Sequence, residues 1–126
     1  MNVKVLIVDD NPINLKLACN VLKAAGFEII TAVDAEGTLH NLEKITPDII
    51  LMDIELPGMD GLTLTKLLKE NNKTKHIPVV ALTSYAMKGD QEKAFKSGCV
   101  GYITKPIDTR IFPSQVAGFI GSSRYD

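Results

Sequence analysis

Six residues of this chain could do chemistry together: Asp9, Asp10, Asp53, Thr83, Ser84 and Lys105. Each ends a short apolar run or lies within two residues past one, so a common sheet edge would bring them into one crevice. Three clustered carboxylates repel one another and raise one another's pKa. A divalent cation removes that conflict, and an all-oxygen donor set favours Mg²⁺, with Mn²⁺ as a substitute, over zinc. Lysine adds a point charge suited to a phosphoryl oxygen. A threonine hydroxyl adds a directional donor. A carboxylate can itself be the nucleophile and form an aspartyl phosphate. Metal and lysine together would screen that anionic nucleophile from an anionic donor. Taken singly, the same residues read as turn formers, helix caps and a surface lysine. Acid, acid, hydroxyl and cation at the ends of four separate runs are what give the set a chemical meaning.

The elements that must position them alternate. Short β-branched runs occur at 3–8, 28–32, 48–53, 78–83 and 100–103, with segments of helical period between them. The first helix is expected after an Asn11 cap with Pro12 in its first turn, and Gly26 as its stop. Its apolar face is Leu17, Ala18, Val21, Leu22 and Ala25. The second follows an Asp34 cap, turns Ala35, Leu39, Leu42 and Ile45 inward, and is closed by Pro47. The third follows Asp60-Gly61 and buries Leu64, Leu67 and Leu68; the fourth, over 87–97, is weakly amphipathic, with Ala94 and Phe95 its clearest apolar pair. Pro113 inside a helix begun at Asp108 would remove a backbone bond. A short turn over 108–111, then a helix from Pro113 that buries Val116, Phe119 and Ile120, avoids the conflict. Strands alternating with helices imply βαβ units, a parallel sheet and helices on both faces. The runs Val5–Val8 and Ile49–Met52 are apolar without alternation, as central parallel strands are. In such a sheet the functional crevice lies beyond the carboxyl ends of the strands.

Composition removes other classes. Hydrophobic residues make up 45% and charged residues 23%, which is globular usage. Fourteen basic against fifteen acidic residues give a net charge of −1, and no electrostatic case for nucleic-acid binding. No apolar run is long enough to span a bilayer. No signal peptide precedes the first strand, so a cytoplasmic location is expected. Cys19 and Cys99 form no disulfide framework and are expected as free thiols. His40 and His76 have no zinc-ligand spacing. The expected organisation is one domain over 1–121 and a short frayed tail over 122–126.

Four blocks carry a resemblance: Val5–Asn11, Asp48–Gly61, Pro78–Ser84 and Gly101–Ile107. Over 3–120 the chain resembles the receiver domains of two-component response regulators. The stretch 83–90 also looks like single-domain cell-division regulators and receivers attached to hybrid kinases. The resemblance implies a flavodoxin-like three-layer α/β/α fold with five parallel strands in the order 2-1-3-4-5, an order the flavodoxin group exemplifies. It implies that Asp53 is the phosphoacceptor. It implies Mg²⁺ held by the carboxylates of Asp10 and Asp53 and the backbone carbonyl of Glu55, with Asp9 acting mainly through water. Lys105 would pair with the phosphoryl group and with Asp53, Thr83 would be the switch hydroxyl and Tyr102 the switch aromatic. The bond between Lys105 and Pro106 would be cis. Glu55 and Tyr85, each two positions past a site residue, would set the phosphoryl lifetime, with the Tyr85 ring hindering water.

The implied protein is a phosphoacceptor switch rather than an enzyme with external turnover. A histidine kinase or histidine phosphotransfer protein would be the donor. The output would be a changed protein-binding face built from the fourth helix, fifth strand and fifth helix, on a monomer or weak dimer. No output domain follows, so action through another protein is expected. Three rivals are distinguishable. A pseudo-receiver would bind partners without phosphate, against intact Asp9, Asp10, Asp53, Thr83 and Lys105. A Mg²⁺-dependent phosphatase could use Glu55 as its acid or base. A flavin mononucleotide carrier would suffer repulsion between Asp9-Asp10 and the flavin phosphate.

Overall fold

The structure is a computed structural model that describes residues 3–84 and 88–124. Five strands alternate with five helices: β1 (Lys4–Val8), α1 (Pro12–Ala24), β2 (Glu28–Ala32), α2 (Ala35–Lys44), β3 (Ile49–Asp53), α3 (Gly61–Glu70), β4 (Val79–Thr83), α4 (Lys88–Ser97), β5 (Gly101–Thr104) and α5 (Phe112–Arg124). All four strand pairings are parallel and the sheet order is β2-β1-β3-β4-β5. The chain therefore has the expected flavodoxin-like architecture.

The strand sequences explain the order. β3 and β4 are buried along their whole length, and β1 from its second residue, so these three take the middle. β2 carries exposed residues and sits at an edge. One core layer packs α2, α3 and α4 on the sheet through Leu42, Leu64, Leu68 and Ala94; the other packs α1 and α5 through Ala18, Leu22, Phe112, Val116 and Ile120.

Local chemistry sets the helix starts. The Asn11 side chain accepts from the N–H groups of Ile13 and Asn14, with Pro12 in the first turn. Asp34 accepts from Gly37 N and Asp60 from Thr63 N. These caps satisfy N–H groups that have no partner inside the helix. Gly26 ends α1 at φ 97°, a conformation that favours glycine.

Several apolar expectations shift. Leu17, Leu39 and Leu67 are 43%, 43% and 44% exposed, and Ala25 lies past the end of α1. The stripes on α2 and α3 are narrower than the sequence pattern, because Thr38 and Thr65 take core positions. Each threonine hydroxyl donates back to a carbonyl of its own helix, Asp34 O and Gly61 O, at 2.8 Å, so it packs as an apolar group. α2 ends at Lys44 with Ile45 as its cap, before Pro47. α5 begins at Phe112, so Pro113 lies in the first turn, where no N–H is needed. Its backbone stays helical to Arg124, past the start expected for the tail, since no proline interrupts the Ile120 turn. Met87, expected in the fourth helix, lies outside the described residues.

Candidate functional site

Five of the site residues lie at or just past strand ends on one edge of the sheet. Asp9 and Asp10 follow β1, Asp53 and Thr83 are the last residues of β3 and β4, and Lys105 follows β5. The parallel register aligns these ends. Asp53 pairs with Leu82 and Thr83 with Thr104, while Lys105 N donates to Thr83 O at 2.7 Å. The bond between Lys105 and Pro106 is cis, as the resemblance implied.

The carboxylates of Asp9, Asp10 and Asp53 offer oxygens within 4.8 Å of one another. Their exposures differ: Asp9 and Asp53 are buried, whereas Asp10 is exposed. Lys105 bridges the buried pair, with Nζ 3.1 Å from Asp53 Oδ2 and 3.7 Å from Asp9 Oδ2. The remaining oxygens are held alike: Asn11 N donates to Asp9 Oδ1 and Glu55 N donates to Asp53 Oδ1, each at 2.9 Å. Each buried aspartate thus turns one oxygen to a backbone N–H two residues on and the other to Lys105. Burial pushes the Asp9 carboxyl above the usual carboxylate range, and the Asp53 charge adds to this. The Asn11 N–H and the Lys105 ammonium oppose it.

The donor set is all oxygen, two carboxylates are desolvated, and one ammonium faces both. The set fits Mg²⁺ or Mn²⁺ and offers no soft ligand for zinc. Asp10, Asn14, Asp53, Glu55, Ser84 and Lys105 line an open crevice above it, large enough for a phosphoryl group.

Most sequence-predicted residues meet here. Thr83 is buried at the end of β4. Glu55 points its backbone N–H at Asp53, and its exposed side chain lines the crevice. Tyr102 stands apart, half-buried on β5 against the α3–α4 core layer. Tyr85 lies outside the described residues. Two contributors escaped the sequence reading. Asn14 lines the crevice from the first turn of α1. Gly61 opens α3 with its Cα against the Asp53 carbonyl, where a Cβ would collide with Asp53 O and Ile54 Cα. Glycine at the start of a helix, where it is a poor former, was the available signal.

Fold and site together define a receiver. The family model of the response regulator receiver domain matches residues 5–116, and the chain belongs to that family. It is thus a receiver domain of two-component signalling. It is 41% identical over 119 residues to the polar-differentiation response regulator DivK of Brucella anthropi, covering 94% of this chain and 97% of that one. The Brucella ovis DivK is 41% identical over 123 residues, covering 98% of this chain and all of its own. Among solved structures, the receiver domain of the sensor histidine kinase PA1611 from Pseudomonas aeruginosa PAO1 superposes with a TM-score of 0.86 at 28% identity, covering 96% of this chain and 99% of that one. That crystal structure has a magnesium ion coordinated in its active-site cleft. The chemotaxis response regulator CheY4 of Vibrio cholerae superposes with a TM-score of 0.89 at 25% identity, covering 94% and 99% of the two chains.

Proposed function

We propose that this chain is a DivK-like phosphoacceptor switch. An Asp53 carboxylate oxygen attacks the phosphorus of a phosphohistidine on a histidine kinase or phosphotransfer protein. The P–O bond forms as the P–N bond breaks, and the imidazole leaves with its electron pair. The observation that carries this reading is the Lys105 ammonium 3.1 Å from Asp53 Oδ2, beside a crevice that opens onto the same carboxylate.

Asp10 and Asp53 would hold Mg²⁺ through carboxylates and Glu55 through its backbone carbonyl, with Asp9 acting through water. Bound there, the cation would neutralise charge on the donor phosphoryl and on the carboxylates. Lys105 holds a fixed positive charge at the acceptor oxygen. The new phosphoryl group adds about −1.5 to −2 charge and fresh acceptor oxygens. The Thr83 hydroxyl donates to one of these, and its displacement makes room for the Tyr102 ring to turn inward. The face of α4, β5 and α5 changes and is read by a downstream protein. The chain catalyses its own phosphorylation and slow dephosphorylation, and works in the cytoplasm as a monomer or weak dimer. Glu55 and Tyr85 set the phosphoryl lifetime. No helix among the described residues is long and apolar enough to cross a membrane.

Intact-protein mass spectrometry after incubation with acetyl phosphate and Mg²⁺ tests this. Gain of one phosphoryl group, absent in Asp53→Asn and absent without metal, is the expected result. No gain from either acetyl phosphate or a phosphohistidine donor, with folded protein, would overturn it and leave a phosphorylation-independent binding module.

A further inference from the structure

Phe95 is 50% exposed on α4. It is not idle there. Its ring meets that of Tyr102 edge to face, with centroids 6.2 Å apart and planes at 78°. Tyr102 lies on β5 opposite Ala81 of β4, and Thr83 lies two residues further along β4 on the same face of the sheet. Tyr102 therefore contacts Phe95 of α4 and is paired across the sheet with the small, fully buried Ala81, two residues before Thr83 on β4.

Staggered rotamers of a tyrosine differ by about 120° at χ1, so a change of rotamer carries the ring several ångströms. Tyr102 cannot make that turn and keep its present contact with Phe95. The contact thus favours the half-buried position over any other. α4 also follows β4 in the chain, so the helix that carries Phe95 is the next element after Thr83.

We infer that Phe95 is a positioning residue for Tyr102: a ring latch that holds the tyrosine half-buried and releases it when phosphorylation draws Thr83 inward. This rests on the reading of the chain as a phosphoacceptor switch. The latch opposes activation in the resting state, so loosening it makes the switch easier to turn on. An edge-to-face contact is strong enough to shift such an equilibrium by roughly 2- to 12-fold.

The test uses the full chain labelled with 3-fluorotyrosine and followed by fluorine NMR. The Tyr102 resonance is identified by its loss in Tyr102→Phe. Beryllofluoride with Mg²⁺ serves as the phosphoryl mimic. Phe95→Leu keeps an apolar side chain and removes the ring; at a half-exposed position it leaves the fold intact, which circular dichroism checks. Without ligand, its Tyr102 resonance is expected part of the way toward the beryllofluoride-bound position, with half-saturation at a roughly 2- to 12-fold lower beryllofluoride concentration. Phe95→Tyr keeps the ring and should restore both parent values. A Phe95→Leu variant that matches the parent in both readouts, or moves the opposite way, overturns the latch. A parent whose resonances do not respond to beryllofluoride overturns the phosphoacceptor reading itself, and that failure is distinct because it shows before any variant is made.

Discussion

The carbonyl oxygen of Asp53 occupies the space that a side chain on Gly61 would need. The contact ties the start of α3 to the backbone of the acceptor residue, and Gly61 N donates to Ile54 O at 3.2 Å on the same side. Gly61→Ala must push β3 and α3 apart. Overpacking of this kind costs about 1–3 kcal/mol. Urea unfolding should show that loss, and acetyl phosphate labelling should slow with it, because the Asp53 carboxylate is displaced from Lys105. A variant of parental stability and labelling rate would show that the contact relaxes freely.

Lys105 is the one cation facing both buried aspartates among the described ion pairs. Lys105→Met preserves stem volume and removes the charge. Phosphoryl uptake at Asp53 is expected to fall at least tenfold, about 1.4 kcal/mol of transition-state stabilisation. Time courses by intact mass measure it. Uptake at the parental rate would mean that the ammonium serves only to neutralise the resting site.

Leu64 and Leu67 separate two readings of the same helix. Both fit the helical period of α3, yet Leu64 is fully buried and Leu67 is 44% exposed. Leu64→Ala should cost about 2–5 kcal/mol, whereas Leu67→Ala should cost less than about 1 kcal/mol. Thermal or denaturant unfolding of the pair decides between them, and equal costs would return Leu67 to the core.

That pair also shows where sequence reading stops. Periodicity identifies a helix and its apolar side, but not the stripe's width, because Thr38 and Thr65 enter the core by satisfying their hydroxyls within their own helices. The strands were legible because Val5–Val8 and Ile49–Met52 have no polar residue to place on a solvent face. Asp9, Asp10, Asp53, Thr83 and Lys105 were legible because parallel strands put their carboxyl ends on one edge. The unequal burial of Asp9 and Asp10 was not, since neighbours in sequence look alike until the turn after β1 sends one inward. Asn14 and Gly61 escaped because they serve the site from the first turns of helices, where capping and helix-forming roles hide them.

The two cysteines should differ in reactivity. Cys99 is buried, and burial pushes its thiol up to about 11, with the Thr65 side chain and Lys69 opposing. At pH 8 only about one Cys99 in a thousand is thiolate. Cys19 is half-buried on α1, and its thiol is also raised by burial. Ellman's reagent on native protein should therefore modify Cys19 slowly and Cys99 only after unfolding. Cys19→Ser abolishing the native reaction would confirm the assignment, and a residual native reaction in that variant would contradict it.

Asp9 supplies a pH dependence whose sign follows from its burial. Its folded pKa is raised above the ordinary value of 3.8, chiefly by burial, with the Asp53 charge adding to this against the Asn11 N–H and Lys105. Above the folded pKa both folded and unfolded chains carry the charged form, so the folded chain bears the whole cost of burying it. Between that pKa and 3.8 the folded chain holds the proton and the unfolded chain does not, so this site's contribution to stability grows as pH falls. In metal-free protein, Asp9→Asn should therefore unfold at a higher temperature than the parent at neutral pH, and the gap should close as pH falls through this window. Mg²⁺ should raise the parent's melting temperature at neutral pH, since a ligand of the native state stabilises it. That increment should shrink in acid, as protonated Asp9 no longer needs a counter-charge, and should be smaller in Asp9→Asn at every pH. Calorimetric scans of both proteins with and without Mg²⁺ between pH 4 and 7, roughly the span from an ordinary carboxylate pKa to neutrality, make the comparison. An Asp9→Asn variant less stable than the metal-free parent at neutral pH would mean that the Asn11 N–H and Lys105 outweigh the burial, and that the acidic cluster is already neutralised without a cation.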